Sequence, residues 1–276
     1  MTIRVRPLCT RLAVGAIGLT AVAVALACGP ASATTLTPAM AARLAASATP
    51  AAPAAPAAPA YTAPTRTLRY GMSGADVKAM QQRLISLHYW LGSATGTFNY
   101  DTQEAVYAFQ AINRLTMDGV VGPKTAAALV HPIGYVPNGS RVGTRIEVNI
   151  NPRLQVLLYY KNNVLQLISH ISSAGGYYYT CSGGGTCFAS TPTGWYRAWG
   201  FTSGWVKVPL GEMYNPVWLN VHGDTEVYAI HGDTSVPAYP ASHGCVRIPD
   251  DLAKIFHTMI TISPSSGTQV DIYNRL

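Results

Sequence analysis

Ser242-His243-Gly244-Cys245-Val246-Arg247 places a thiol beside a histidine, a glycine and a guanidinium. Fourteen residues before Cys245, His231 closes the apolar run Tyr228-Ala229-Ile230. A cysteine attacks a carbonyl only as its thiolate. With an ordinary pKa near 8.5, about 3% of a free thiol is ionised at pH 7. A histidine in reach takes the proton, steadies the thiolate as a cation and later protonates a leaving amine. Such a base needs an acceptor on its other ring nitrogen to orient it. Gly244 lets a substrate approach the backbone beside the sulfur, and N–H groups in the Ser242–Cys245 turn are candidates to hold the oxyanion of a tetrahedral intermediate.

The base has two candidates. His222-Gly223-Asp224-Thr225 duplicates His231-Gly232-Asp233-Thr234, with intervals to Cys245 of 23 and 14 residues. The same histidines, with His243 and Asp224 or Asp233, admit a zinc-peptidase reading, but no helical His-x-x-x-His pair supports it. Cys181-Ser182-Gly183 superficially matches the nucleophile segment of papain-like peptidases, a second competing reading. A third is a wall-binding protein whose catalytic fold has decayed. Cys181 and Cys187 flank a glycine-rich loop that can close on itself. We expect them to pair, which leaves Cys245 as the odd thiol.

These residues must be positioned by a chain of unusual composition. It has 276 residues, 49% hydrophobic and 11% charged, with net charge +7. Globular chains are about 25% charged. Much of the departure lies at the N-terminus. Arg4, Arg6 and Arg11 precede the apolar run Leu12–Cys28 and the small-residue pattern Ala31-Ser32-Ala33, so residues 1–33 read as a secretory signal peptide. Its removal leaves +4, with no Lys/Arg block to follow a phosphate backbone, and no nucleic-acid partner is expected. A membrane association would require that the signal is retained or that Cys28 is lipidated. Residues 34–66 read as a disordered Ala/Pro linker, with proline every third position from Pro50 to Pro59.

Residues 67–131 carry three helical signals. Ser73 is expected to cap a helix bearing Val77, Met80, Leu84 and Leu87. Asp101 with Glu104 resembles a capping box for a second helix, with Val106 and Phe109 on one face. Pro123 suits the first turn of a third helix, 124–130. Residues 144–276 read as mainly β. Ile146, Val148 and Ile150 alternate as in a half-buried strand, and 154–160 and 164–171 flank the hairpin signal Lys161-Asn162-Asn163. Further strands are expected at 217–221, 227–231 and 268–273. One helix fits 251–260, with Leu252, Ile255, Phe256 and Met259 apolar. The fold class is therefore multidomain α+β: a small three-helix unit, then a sandwich-like β domain with one helix.

Two resemblances add to this reading. Asp76–Leu84, Gly96, Ala105–Gln110 and Asp118–Thr125 resemble the three-helix peptidoglycan-binding domain of cell-wall enzymes. The His231-Gly232 pair with Ser242-His243-Gly244-Cys245 and Arg247 resembles the signature of the L,D-transpeptidases, the YkuD-like family. Thr191-Pro192-Thr193-Gly194 and Val236–Ala241 support it. The resemblance implies Cys245 as nucleophile, His231 as base, and a backbone carbonyl at or near Gly232 as its orienting acceptor. It implies with them that Ser242 and His243 shape the thiolate environment and that Arg247 holds the loop or a substrate carboxylate. His222 is then a turn or substrate-side residue, and Tyr239 belongs among the aromatics expected to pack or to line a groove. Peptidoglycan is the implied partner, and no cofactor is implied. Donor chemistry would be attack on the third stem residue, release of D-alanine and a 3-3 cross-link, with an L,D-carboxypeptidase or a cysteine endopeptidase as alternatives.

Overall fold

The computed structural model describes residues 61–135, 137, 142–181, 183–220 and 228–276. The expected signal peptide, Cys28, most of the linker and His222 lie outside them. No helix among the described residues is long and apolar enough to cross a membrane.

The helical unit holds α1 (Ala75–Ser86), α2 (Tyr100–Ile112) and α3 (Pro123–Val130). Val77, Met80 and Leu84 of α1 are buried against Phe98, Val106, Phe109 and Leu129. Pro123 opens α3 as its spacing predicts. The other two caps differ from expectation. Gly74 occupies the cap of α1 without a side-chain bond, and the Ser73 hydroxyl instead donates to Thr97. Asn99, not Asp101, caps α2, accepting from the Thr102 N–H. Glu104 is turned away from the helix start to a partner described below. The helical unit also takes in residues before 67. Tyr61 packs against the helical core, and Arg66 forms a bidentate pair with Asp76.

The β domain contains β1 (Arg145–Asn149), β2 (Val156–Lys161), β3 (Val164–His170), β4 (Tyr178–Thr180), β5 (Thr186–Phe188), β6 (Gly194–Phe201), β7 (Trp205–Val208), β8 (Gly211–Asn220), β9 (Tyr228–Asp233), β10 (Val246–Pro249) and β11 (Gln269–Tyr273). The fourth helix, α4 (Asp250–Met259), follows β10 directly. The main sheet runs β10-β9-β8-β6-β11-β1-β2-β3, with β7 paired to β8. β1 lies parallel to β11 and β10 parallel to β9; the other pairs are antiparallel. The two ends of this path meet. Ser172, just past β3, exchanges backbone hydrogen bonds with Arg247 of β10 in both directions (3.1 and 3.0 Å).

β1 departs from a half-buried strand, since all five of its residues are buried. Its central place in the sheet requires this. Ile146 and Val148 enter the β-domain core, while Arg145 on the opposite face pairs with Glu147 at 2.7 Å and lies over the Tyr160 ring. Asn162 and Asn163 turn β2 into β3 with φ of 51° and 69°, a left-handed pair suited to a two-residue hairpin. On α4, Leu252 and Phe256 are buried as expected, but Ile255 is exposed.

The helical unit and the β domain share one core. Val156, Leu158, Tyr160 and Ile168 from β2 and β3 belong to the same buried cluster as Phe109 and Leu84. His88–Trp90 adds to the β3 edge: Ile168 N–H donates to His88 and Trp90 N–H donates to Ile168. Glu104 meets His170 Nδ1 at 2.6 Å, both buried. The Tyr100 hydroxyl accepts from the Val236 N–H.

Candidate active site

Cys245 immediately precedes β10, and His231 lies within its neighbour β9. The parallel register sets Val246 beside Ile230 and Arg247 beside His231. A strand-to-strand register, not chain proximity, therefore brings the thiol and the imidazole to one place. Both line a cavity of about 710 Å³ together with Ser242, His243, Gly244 and Arg247.

His231 is buried, and its Nδ1 lies 2.9 Å from the Gly232 carbonyl oxygen. A carbonyl only accepts, so Nδ1 carries the proton. In the neutral ring Nε2 then holds the lone pair needed by a base. Gly232 has a packing reason to lack a side chain: a Cβ there would stand 2.7 Å from Cβ of Ala253 on α4. Burial lowers the His231 pKa, against opposing contributions from the Gly232 bond and Asp233. Burial raises that of Cys245, partly offset by the Ala229 backbone N–H and by Arg247. Both directions favour the uncharged thiol–imidazole pair at rest.

The turn before Cys245 is held from within. Ser242 Oγ donates to the Cys245 carbonyl at 2.5 Å and accepts from the Gly244 N–H at 3.2 Å. Ser242 thus sets the backbone of the turn, and Gly244 N–H is already engaged. The backbone N–H groups of His243 and Cys245 have no protein acceptor among the described residues. A Cβ on Gly244 would press on the Tyr228 ring at 3.1 Å and the Ser190 carbonyl at 3.2 Å. The Thr191 hydroxyl, from the segment before β6, donates to the Gly244 carbonyl at 2.7 Å and accepts from Ala174 N–H. In sequence Thr191 stands only as part of Thr191-Pro192-Thr193-Gly194, with no role of its own. A bond spanning 53 residues has no local signature.

His243 stands edge-on to Tyr177 and Tyr179, with ring centroids 5.5 and 4.6 Å away. Arg247 pairs with Asp233 at 3.2 Å while its side chain lines the cavity. Tyr239 is not brought to the cavity: the residue is 64% exposed, and its carbonyl accepts from Ser172 Oγ. Of the other aromatics, Tyr179, Trp218 and Tyr228 line the cavity. Cys181 and Cys187 form a disulfide across the β4–β5 hairpin, and Cys187 and Phe188 reach the cavity wall. Cys181 is thereby removed as a nucleophile, and Cys245 is the free cysteine of the described residues. No three metal-ligating side chains converge among the described residues.

A thiol, an oriented base, two available N–H groups and an open wall make an arrangement able to transfer an acyl group through a thioester. Comparison with known proteins agrees with this chemistry. Residues 143–272 match the L,D-transpeptidase catalytic domain family, and residues 73–129 match a peptidoglycan binding domain family. A crystallised L,D-transpeptidase fragment (residues 123–326) from Xylanimonas cellulosilytica DSM 15894 is 36% identical. The similarity covers 79% of this chain and 100% of that one, with a TM-score of 0.65. The N-acetylmuramoyl-L-alanine amidase CwlL of Bacillus licheniformis is 41% identical over 64 residues, 22% of this chain. The chain spans 18% of that amidase's length.

Proposed function

The chain belongs to the L,D-transpeptidase family, and from that premise we propose that it is an exported cysteine acyltransferase making 3-3 cross-links between peptidoglycan stem peptides. The observation that carries the residue roles is the cavity shared by Cys245 and His231, with Nδ1–H of His231 held by the Gly232 carbonyl.

In the proposed reaction His231 Nε2 takes the Cys245 proton as sulfur attacks the amide carbonyl of the third stem residue. The backbone N–H groups of His243 and Cys245 receive the developing oxyanion. Collapse of the intermediate breaks the amide C–N bond. The imidazolium returns its proton to the departing D-alanine amine, leaving a thioester. The side-chain amine of a second stem then attacks the thioester, its proton passes through His231, and Cys245 leaves and regains its proton. Arg247, paired with Asp233, steadies the thiolate and lines the path of the substrate.

Residues 1–33 support export, and a free thiol retained alongside a paired Cys181–Cys187 fits an oxidising compartment. The module at 73–129 supports retention on the wall. Incubation with purified disaccharide-tetrapeptide and mass spectrometry tests the reaction. The expected product is a dimer lacking one alanine. A monomer lacking alanine would instead make the protein an L,D-carboxypeptidase, and no change with native protein would reject both.

A further inference from the structure

A second cavity, about 930 Å³, opens where the helical unit meets the β domain, away from Cys245. Ile112, Leu115, Met117 and Leu154 give it apolar walls. Three exposed arginines line it from separate segments: Arg114 after α2, Arg153 before β2 and Arg275 after β11. Among the described residues no Asp or Glu lines it, and Leu276 lies at its edge beside Arg275. Arg275 is tied down: its backbone is bonded to Asn149 in both directions, and its side chain donates to the Pro137 carbonyl and lies near the Tyr273 ring. Arg114 and Arg153 form no ion pair among the described residues. Arg114 also sits at φ 57°, a backbone region that favours glycine at a helix end, and so keeps its side chain there at a conformational cost.

Guanidinium forks match carboxylates in a two-pronged geometry. A cleft lined by several arginines, with no Asp or Glu among its described residues and with apolar walls, suits a ligand that is anionic and partly apolar. We propose that this cleft is a second binding site, for a carboxylate-bearing peptide with small apolar side chains: a stem strand held apart from the one at Cys245. A phosphate polymer would satisfy the arginines but leave the walls of Ile112, Leu115, Met117 and Leu154 uncovered. Ala238 lines the same cleft and belongs to the loop that leads into Ser242. A strand bound here lies against the far side of that loop. The identification of the peptide as a wall stem rests on the function proposed above; the site itself rests on the cleft.

The test counts ligands on the full chain. With Cys245→Ala to prevent turnover, a fluorescent stem tetrapeptide is measured by equilibrium dialysis. Two equivalents are expected. Arg114→Gln with Arg153→Gln should weaken one of them by about tenfold or more, as loss of charge-assisted bonds does, with an unchanged thermal midpoint. A tetrapeptide with amidated carboxylates should lose the same equivalent. One equivalent in the parent, or two undiminished in the double variant, overturns the proposal. Displacement of the second equivalent by a glycerol-phosphate oligomer at lower concentration than by peptide overturns the peptide assignment. Failure of the native protein to release D-alanine from the same tetrapeptide would count against the proposed function alone, since the stoichiometry is read independently.

Discussion

Arg247 bears on both members of the proposed thiol–imidazole pair. Its charge favours neutral imidazole at His231 and thiolate at Cys245, lowering both pKa values. A base must be neutral to work, so the acidic limb of the acylation rate falls where His231 gains its proton. Burial places that limb below the ordinary histidine range of about 6.5. Replacing Arg247 with Gln removes the charge and leaves Asp233 unbalanced, and both changes raise the His231 pKa. The acidic limb of kcat/KM should therefore move to higher pH, with activity at about pH 6 falling several-fold more than at about pH 8. A limb that stays in place would remove Arg247 from this role. Cys245 and His231 were legible because each sits in a short local pattern. His231 could not be separated from His222 by chemistry, since the repeated His-Gly-Asp-Thr is identical in both. Ser242 reads as a neighbour of the thiol in sequence, yet in space it is a brace for the turn. Thr191 enters the site through a tertiary contact that no local spacing announces, whereas Asp233, two residues past His231 on β9, meets Arg247 across the strand pair.

At the scale of elements, α2 shows how a correct periodicity can carry an incorrect cap. Asp101 and Glu104 have capping-box spacing, but both are spent on the β domain. Glu104 pairs with His170 on β3, while Asp101 is hydrogen-bonded to Asp251 on α4. Burial, then the bond and charge of Asp251, push the Asp101 carboxyl up to about 6, and Lys254 holds Asp251 low. The folded-state value is raised above the unfolded one. The contribution of Asp101 is therefore complete below about pH 4 and lost as pH rises through about 6. Asp101→Asn should keep a donor toward Asp251 without the charge. Its thermal midpoint should exceed that of the parent at about pH 7.5, with the gain shrinking toward about pH 5. A gain of equal size at both values would refute the shared proton. The strands β4 to β7 and β10 were not foreseen because β4, β5, β7 and β10 are only three or four residues long, too short for alternation to show, while glycine, tryptophan and tyrosine interrupt β6, and cross-strand pairing holds them.

At the scale of the molecule, the two units foreseen in sequence are present, but the connection between them is closer than successive sequence segments suggest. Their apolar faces had to be assigned separately, and nothing in either segment says that Leu158 and Ile168 face Phe109. Removing the helical unit would expose Val156, Leu158 and Ile168, each worth about 1.5–3 kcal/mol when buried. It would also leave His170 without Glu104. A fragment spanning 143–276 should therefore aggregate or unfold well below the parent, whereas the intact protein should lose both units in one thermal transition. Scanning calorimetry of the two proteins checks this, and a fragment melting with the parent would disprove it.

The closure of the sheet through Ser172 and Arg247 bears on stereochemistry. An exposed strand beside the thiol would invite an extended peptide to join it, and such strand addition recognises main chains by a ladder of one handedness. Here the outer side of β10 is already taken at Arg247, so the proposed substrate would be read by cavity walls and side chains. That manner of reading makes no demand that successive residues share a chirality, as befits a family named for bonds between L and D centres.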